Sequence, residues 1–142
     1  MSDTLRNRVG QIIVGSVHAL LDKIEDQAPE AMMEQAIREL DKVTGEVRQE
    51  LGMVAANRHL AQQQHASLNQ RHFERTTKIE LGLGQGREDL ARAAVARQLD
   101  IEAQLPVVEL ALTDFAAKET ELKGFVDALL GKKHEMESAL SG

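Results

Sequence analysis

The sequence predicts an all-α fold, a long antiparallel two-helix coiled-coil hairpin preceded by a short N-terminal amphipathic helix. Three observations predict it. Apolar residues recur at spacings of three and four from Glu30 to Leu81 and again from Arg87 to Leu140, the pattern of helices that bury one stripe. Gly82, Gly84 and Gly86 separate the two runs. Glycine costs roughly 1 kcal/mol in a helix interior, so this cluster marks a helix end from which the second run folds back along the first. Aromatic residues make up only 2% of the chain although 42% is hydrophobic, with three Phe and neither Trp nor Tyr. A globular core draws on large rings, whereas a narrow helix–helix seam is built from Leu, Ile, Val and Ala.

Residues 1–26 form the first predicted element, an amphipathic helix and a turn. On a helical wheel Leu5, Val9, Ile12, Ile13, Val17, Leu20, Leu21 and Ile24 share one broad side, and Asn7, Arg8, Gln11, His18 and Asp22 lie opposite. Arg6 and Lys23 fall within or beside the apolar side. Gly10 and Gly15 weaken the helix in isolation, so it needs a surface against which to form. That surface is either a membrane interface or a neighbouring protein. Asp26 to Glu30 supplies a turn and a helix start, with Pro29 near the first helical position.

Residues 27–142 make the hairpin. Its predicted parts are a helix over about 29–82, a turn over about 83–86 and a helix over about 87–140. The seam of the first arm runs Met33, Ile37, Leu40, Thr44, Val47, Leu51, Val54, Arg58, Ala61, His65, Leu68, His72 and Ile79. That of the second runs Ala91, Ala94, Ile101, Leu105, Val108, Leu112, Phe115, Glu119, Leu122, Val126, Leu129, Lys133, Met136 and Leu140. Folding back near residue 84 pairs the most apolar stretches, 37–54 with 105–129, and puts Arg58 within about a turn of Glu109. Pro106 lies beside the seam and frees a carbonyl one turn earlier. Because the heptads resume in register at Val108, a kink within a continuing helix is expected there.

Charge and composition narrow the function. A net charge of -6 repels backbone phosphates and argues against nucleic acid. The absence of Cys excludes disulfides, thiol catalysis and thiolate zinc sites. No segment approaches the 18 or so consecutive apolar residues of a transmembrane helix. The N-terminus has no signal-peptide core, so a cytoplasmic location is expected.

The glycine turn also carries a resemblance. Gly86-Arg87-Glu88-Asp89-Leu90-Ala91-Arg92 closely resembles the segment that opens the second long helix in the PspA family of phage-shock proteins, which includes the vesicle-inducing protein of plastids. Ala19-Leu20-Leu21-Asp22-Lys23-Ile24-Glu25-Asp26, the following Pro29 and the Glu46-Val47-Arg48 step resemble a second family stretch in the right order. Here the proline follows Gln27 and Ala28 instead of the aspartate directly. The opening, Met1 to Leu5, also lacks the glycine and phenylalanines typical of the family. The resemblance implies an ESCRT-III-like architecture with further assembly helices, which do not fall within these 142 residues. It also implies binding to anionic or stressed membranes through the N-terminal helix, and homo-oligomers formed through the hairpin. A further implied partner is an AAA+ transcriptional activator.

The remaining polar features have plain readings. His65 and His72 lie one heptad apart in the seam, about 10 Å along the helix, too far to share one ion. They read as polar residues that fix register. Glu88 and Asp89 sit where acidic residues favour a helix start. The glycine-rich stretch follows a helix and lacks the Lys-Ser/Thr of a phosphate-binding loop. No catalytic residues, cofactor or metal site are therefore assigned, and no enzyme is expected. The sequence is read as a PspA-like peripheral membrane protein of the envelope stress response on the inner face of the cell membrane. It contacts the bilayer through Leu5, Arg6, Arg8, Val9, Ile12, Ile13, Val17, Leu20 and Leu21. The alternative is a soluble adaptor whose hairpin binds and inhibits an AAA+ activator.

Overall fold

The computed structural model describes residues 3–15 and 29–141. Helix α1 spans Asp3–Val14, α2 spans Pro29–Gly84 and α3 spans Glu88–Ser141, and no strand occurs among the described residues. The fold is a helical hairpin of α2 and α3 preceded by the short α1. Of the predicted N-terminal helix to Ile24, Asp3–Val14 is helical, and residues 16–28 lie outside the described set. Pro106 sits inside α3, which runs on through it. The heptads on either side keep enough packing to carry the helix past one lost backbone hydrogen bond.

The turn is tighter and slightly later than the glycine pattern suggests. Helix α2 continues through Gly84, and Gly86 takes the left-handed conformation with φ of 71°. The Arg87 amide donates to Gly82 O at 2.7 Å and the Gly86 amide to Leu83 O at 3.1 Å. This pair of bonds is a Schellman cap, which satisfies carbonyls left over at a helix end and favours glycine at its left-handed position. Gly82 serves close approach instead. A Cβ there would stand 3.3 Å from both Arg87 O and the Ala91 nitrogen, so a bare α-carbon lets the start of α3 pack against it. Arg87 O then accepts from the Ala91 amide and α3 begins.

The chain divides into two compact units, residues 1–54 with 118–142 and residues 55–117. In the first, α1 joins segments of both hairpin arms. Its buried residues are Leu5 and Val9 of α1, Met33, Leu40, Val43, Thr44, Val47 and Val54 of α2, and Glu119, Leu122, Leu129 and Met136 of α3. The Thr44 hydroxyl donates to Leu40 O at 2.8 Å, so its burial leaves no hydroxyl proton unmatched. All the hairpin residues in this set except Val43 are seam positions of the heptad reading.

The second unit is a two-helix seam. Ala61, Leu68, Ile101 and Val108 form its core, with Leu105, Leu112 and Phe115 packed partly against them. Polar rungs cross the seam beside this core. His65 Nε2 lies 3.3 Å from a carboxylate oxygen of Glu109, and His72 Nε2 lies 2.9 Å from one of Glu102. As numbers rise along α2 they fall along α3, which is the antiparallel arrangement.

These rungs correct the expected register. Glu109 stands opposite His65, one heptad along α2 from Arg58. The cross-seam pairs are centred on residue 87 instead of 84, and within the first unit the Lys133–Asp41 pair has the same centre. Moving the centre of pairing by three to four residues slides the partner by a whole heptad, and a heptad slip leaves every side chain on its original face. The seam pattern is blind to that error.

Candidate functional site

The candidate site is α1 and the surface on which it lies. A 12-residue helix is marginal in water by itself, and Gly10 weakens this one further. Contacts with the rest of its unit hold it. Val9 is 0% and Leu5 9% exposed, so the first two turns bury their apolar side. Each such burial is worth roughly 1.5–3 kcal/mol of transfer free energy before ordering costs are subtracted. Exposure rises toward the other end. Ile12 and Ile13 are half-buried and Val14 is 85% exposed. Val17, Leu20 and Leu21, also expected at a membrane, lie outside the described residues.

The basic residues of α1 are paired with acids from both arms. One Arg6 guanidinium nitrogen is 2.7 Å from Glu121 Oε1. Arg8 donates to Glu46 Oε2 at 2.8 Å and reaches Glu39 at 3.5 Å. Beyond the helix end, the Lys132 ammonium donates to Gly15 O at 2.6 Å. A cation there complements the unsatisfied carbonyls and the negative end of a helix dipole. The described part of α1 is thus held by two buried apolar side chains, three carboxylates and one lysine.

Sequence reasoning placed Arg6 and Arg8 toward a bilayer and did not identify Glu39, Glu46, Glu121 or Lys132 as their neighbours. One signal was available. Glu39, Val43 and Glu46 share a face of α2 away from the heptad seam, and an apolar Val43 there has no partner in a two-helix reading. In the structure Val43 is buried, and the two glutamates flanking it hold Arg8.

The other predicted features fall at the turn and in the second unit. In the Gly86–Arg92 motif, Gly86 supplies the left-handed cap and Ala91 is buried. Arg87 holds Asp89 at 3.3 Å and Arg92 lies 3.6 Å from Glu88 one turn away. The Arg87 side chain, followed by the Leu90 amide, lowers the Asp89 pKa below its ordinary value. His65 and His72 each face a separate glutamate. Asn69 Nδ2 meets His65 Nδ1 at 3.3 Å, an arrangement satisfied when Nδ1 accepts and Nε2 donates to Glu109. A shallow groove of about 250 Å³ beside the turn is lined by Arg75, Lys78 and Arg97 over Leu81, Leu90 and Ala94. Its lining contains no carboxylate, so it offers positive charge beside apolar side chains.

Comparison with known proteins matches this arrangement to a family. The model of the PspA/IM30 family matches residues 4–141. The chain belongs to the PspA/IM30 family. The curated relatives include a membrane-associated protein VIPP1, chloroplastic, from Arabidopsis thaliana, 26% identical over 136 residues, covering 96% of this chain and 38% of the relative. A protein of the same description from Oryza sativa subsp. japonica is 24% identical over 137 residues, covering 96% of this chain and 40% of the relative. The chain therefore spans about two fifths of the length of these relatives. The match includes α1 from its second residue as well as both hairpin arms, so the helix carrying Arg6 and Arg8 lies within the family region.

Proposed function

We propose that this chain is a PspA-like peripheral membrane-associated protein of the envelope stress response. It binds or remodels anionic membranes through its N-terminal helix and self-associates through its hairpin. The observation that carries this reading is α1: a short helix with an apolar side, Arg6 and Arg8 near its middle, and apolar exposure increasing toward Val14. Interfacial helices bind by burying such a side while basic groups meet anionic headgroups. Family membership and the membrane-associated relatives support the same reading. No helix among the described residues is long and apolar enough to cross a membrane, which agrees with attachment at a surface. The proposed location is the inner face of the cell membrane.

Self-association has support in the second unit. Leu99, Val107 and Leu110 are exposed and recur at helical spacing on α3, and Leu60 and Phe73 are exposed on α2. A second hairpin laid alongside would cover such a surface.

Flotation with vesicles tests the membrane reading. The chain is expected to float with vesicles of equal phosphatidylcholine and phosphatidylglycerol, and less with phosphatidylcholine alone. Raising the salt should weaken it, because exposed charges are screened within about 10 Å at 0.1 M. Equal flotation with neutral and anionic vesicles would refute the anionic preference. Failure to float with either would overturn the membrane reading itself.

A further inference from the structure

We infer that the hairpin is a latch for the membrane helix: Glu39, Glu46 and Glu121 compete with anionic headgroups for Arg6 and Arg8, and the α1 face that would enter a bilayer is stored against its own unit. This rests on the membrane reading of α1 and adds a regulatory step to it. Leu5 and Val9 are buried, and a side chain so placed cannot simultaneously enter a bilayer. Arg6 and Arg8 already have carboxylate partners at 2.7 and 2.8 Å. The Lys132 ammonium fastens the far end through Gly15 O.

The contacts are graded in a way that suits release. At the Val14 end the apolar side chains are open or half-open, and at the Leu5 end they are closed. The partners of Arg6 and Arg8 are surface carboxylates, with side chains 35–54% exposed, and pairs of this kind are individually weak and screened by salt. A negatively charged surface offers the same two arginines phosphate oxygens, and a bilayer offers Leu5 and Val9 an apolar interior. First contact through Ile13 and Val14 would thus be followed by exchange of carboxylate for phosphate at Arg8 and Arg6. Because only the undocked fraction binds, docking lowers the apparent affinity by that fraction.

Two measurements separate the latch from the membrane reading. The first is hydrogen exchange of the chain in solution without lipid. Amides of residues 5–14 are expected to be protected, and the triple variant E39Q/E46Q/E121Q should lose about three- to tenfold of that protection. Unchanged protection would overturn the latch whatever the vesicles show. The second is flotation with the same equimolar anionic vesicles. The triple variant should bind about three- to tenfold more tightly than the unaltered chain. A control, E74Q/E80Q/E88Q, makes the same change in net charge within the second unit. An equal gain by the control would also overturn the latch.

A third variant holds the latch shut. The chain has no Cys, so R8C/E46C can be joined specifically by a short bis-maleimide. Joined protein should lose vesicle binding while the unjoined double variant retains it. Joined protein that floats as well as unjoined would overturn the latch. If exchange behaves as expected and no form floats, the docking of α1 by these carboxylates stands, and the membrane reading falls together with the competition for headgroups.

Discussion

The two units use one heptad pattern to different ends. In residues 1–54 with 118–142, a third helix joins the hairpin arms, and the buried set contains Met33, Leu40, Val43, Val47, Leu122 and Leu129. In residues 55–117 there are only two arms, and the core thins to Ala61, Leu68, Ile101 and Val108 with half-buried neighbours. Two helices alone share one narrow seam, so large apolar residues off that seam stay in water. Leu60, Phe73, Leu99, Val107 and Leu110 all do so. The second unit compensates with specificity. His65–Glu109, His72–Glu102 and the 2.6 Å bond from Gln98 to Thr76 fix its register where apolar packing is slight. A third helix yields burial, and polar rungs yield alignment.

Core truncation should give the largest effect and the sharpest test of this contrast. Leu129→Ala and Leu68→Ala remove side chains that are 0% and 1% exposed, one in each unit. Both are expected to destabilise by about 2–5 kcal/mol, with Leu129→Ala at the upper end because its unit holds a third helix and the larger buried set. Leu60→Ala, at 62% exposure, should change stability by about 0.5 kcal/mol or less. Urea unfolding followed by circular dichroism measures all three. A larger loss at Leu68 than at Leu129 would break the assignment of the stronger core to the first unit.

The turn comes next in size. Gly86→Ala places a Cβ in the left-handed region and is expected to cost about 1–2 kcal/mol. Gly84→Ala is expected to be neutral or slightly stabilising, since Gly84 is helical and a Cβ there meets nothing within 4 Å. Thermal melts of the two variants read the difference directly. Equal melting temperatures would mean that the Schellman cap contributes nothing to closing the hairpin.

The legible and illegible parts of the fold follow from the same physics. Seam residues from Met33 to Met136 were readable because burial imposes a period, and the structure buries most of those named. The pairing register was not, because a slip of one heptad satisfies that period equally well. What chooses between registers is a short list of specific contacts, such as Glu109 with His65, together with the cap at Gly86. The docking of α1 was illegible for another reason. Arg6 and Arg8 are equally good partners for carboxylates of the same chain and for lipid phosphates, and a helical wheel records charge without recording which anion is nearest. Only the off-seam Val43 hinted that α2 had a second neighbour.

Smaller still are the rungs themselves. His72→Ala combined with Glu102→Ala in a double-mutant cycle should give a coupling of about 0.5–1 kcal/mol, typical of a half-exposed polar pair. A coupling near zero would leave the His65–Glu109 and Gln98–Thr76 contacts to align this unit.

In the first unit the comparable rung is fully ionic and therefore answers to pH at the alkaline end. Lys133 lies 2.9 Å from Asp41 across the arms. The hydrogen bond to Asp41, and then its charge, raise the Lys133 pKa above the ordinary 10.5. Since the folded-state value is the higher one, the folded protein holds this proton more tightly than the unfolded chain. The resulting stabilisation is whole below about pH 10.5 and is lost as pH rises through the folded-state value. Asp41→Asn removes the charge partner and with it the dependence. The melting-temperature gap between the unaltered chain and Asp41→Asn should stay level from about pH 8 to 10 and then close, while other alkaline titrations act on both proteins alike. A gap that stays constant through that range would mean that Lys133 holds its position by packing beside the seam, and that the two units differ in burial but not in the ionic character of their rungs.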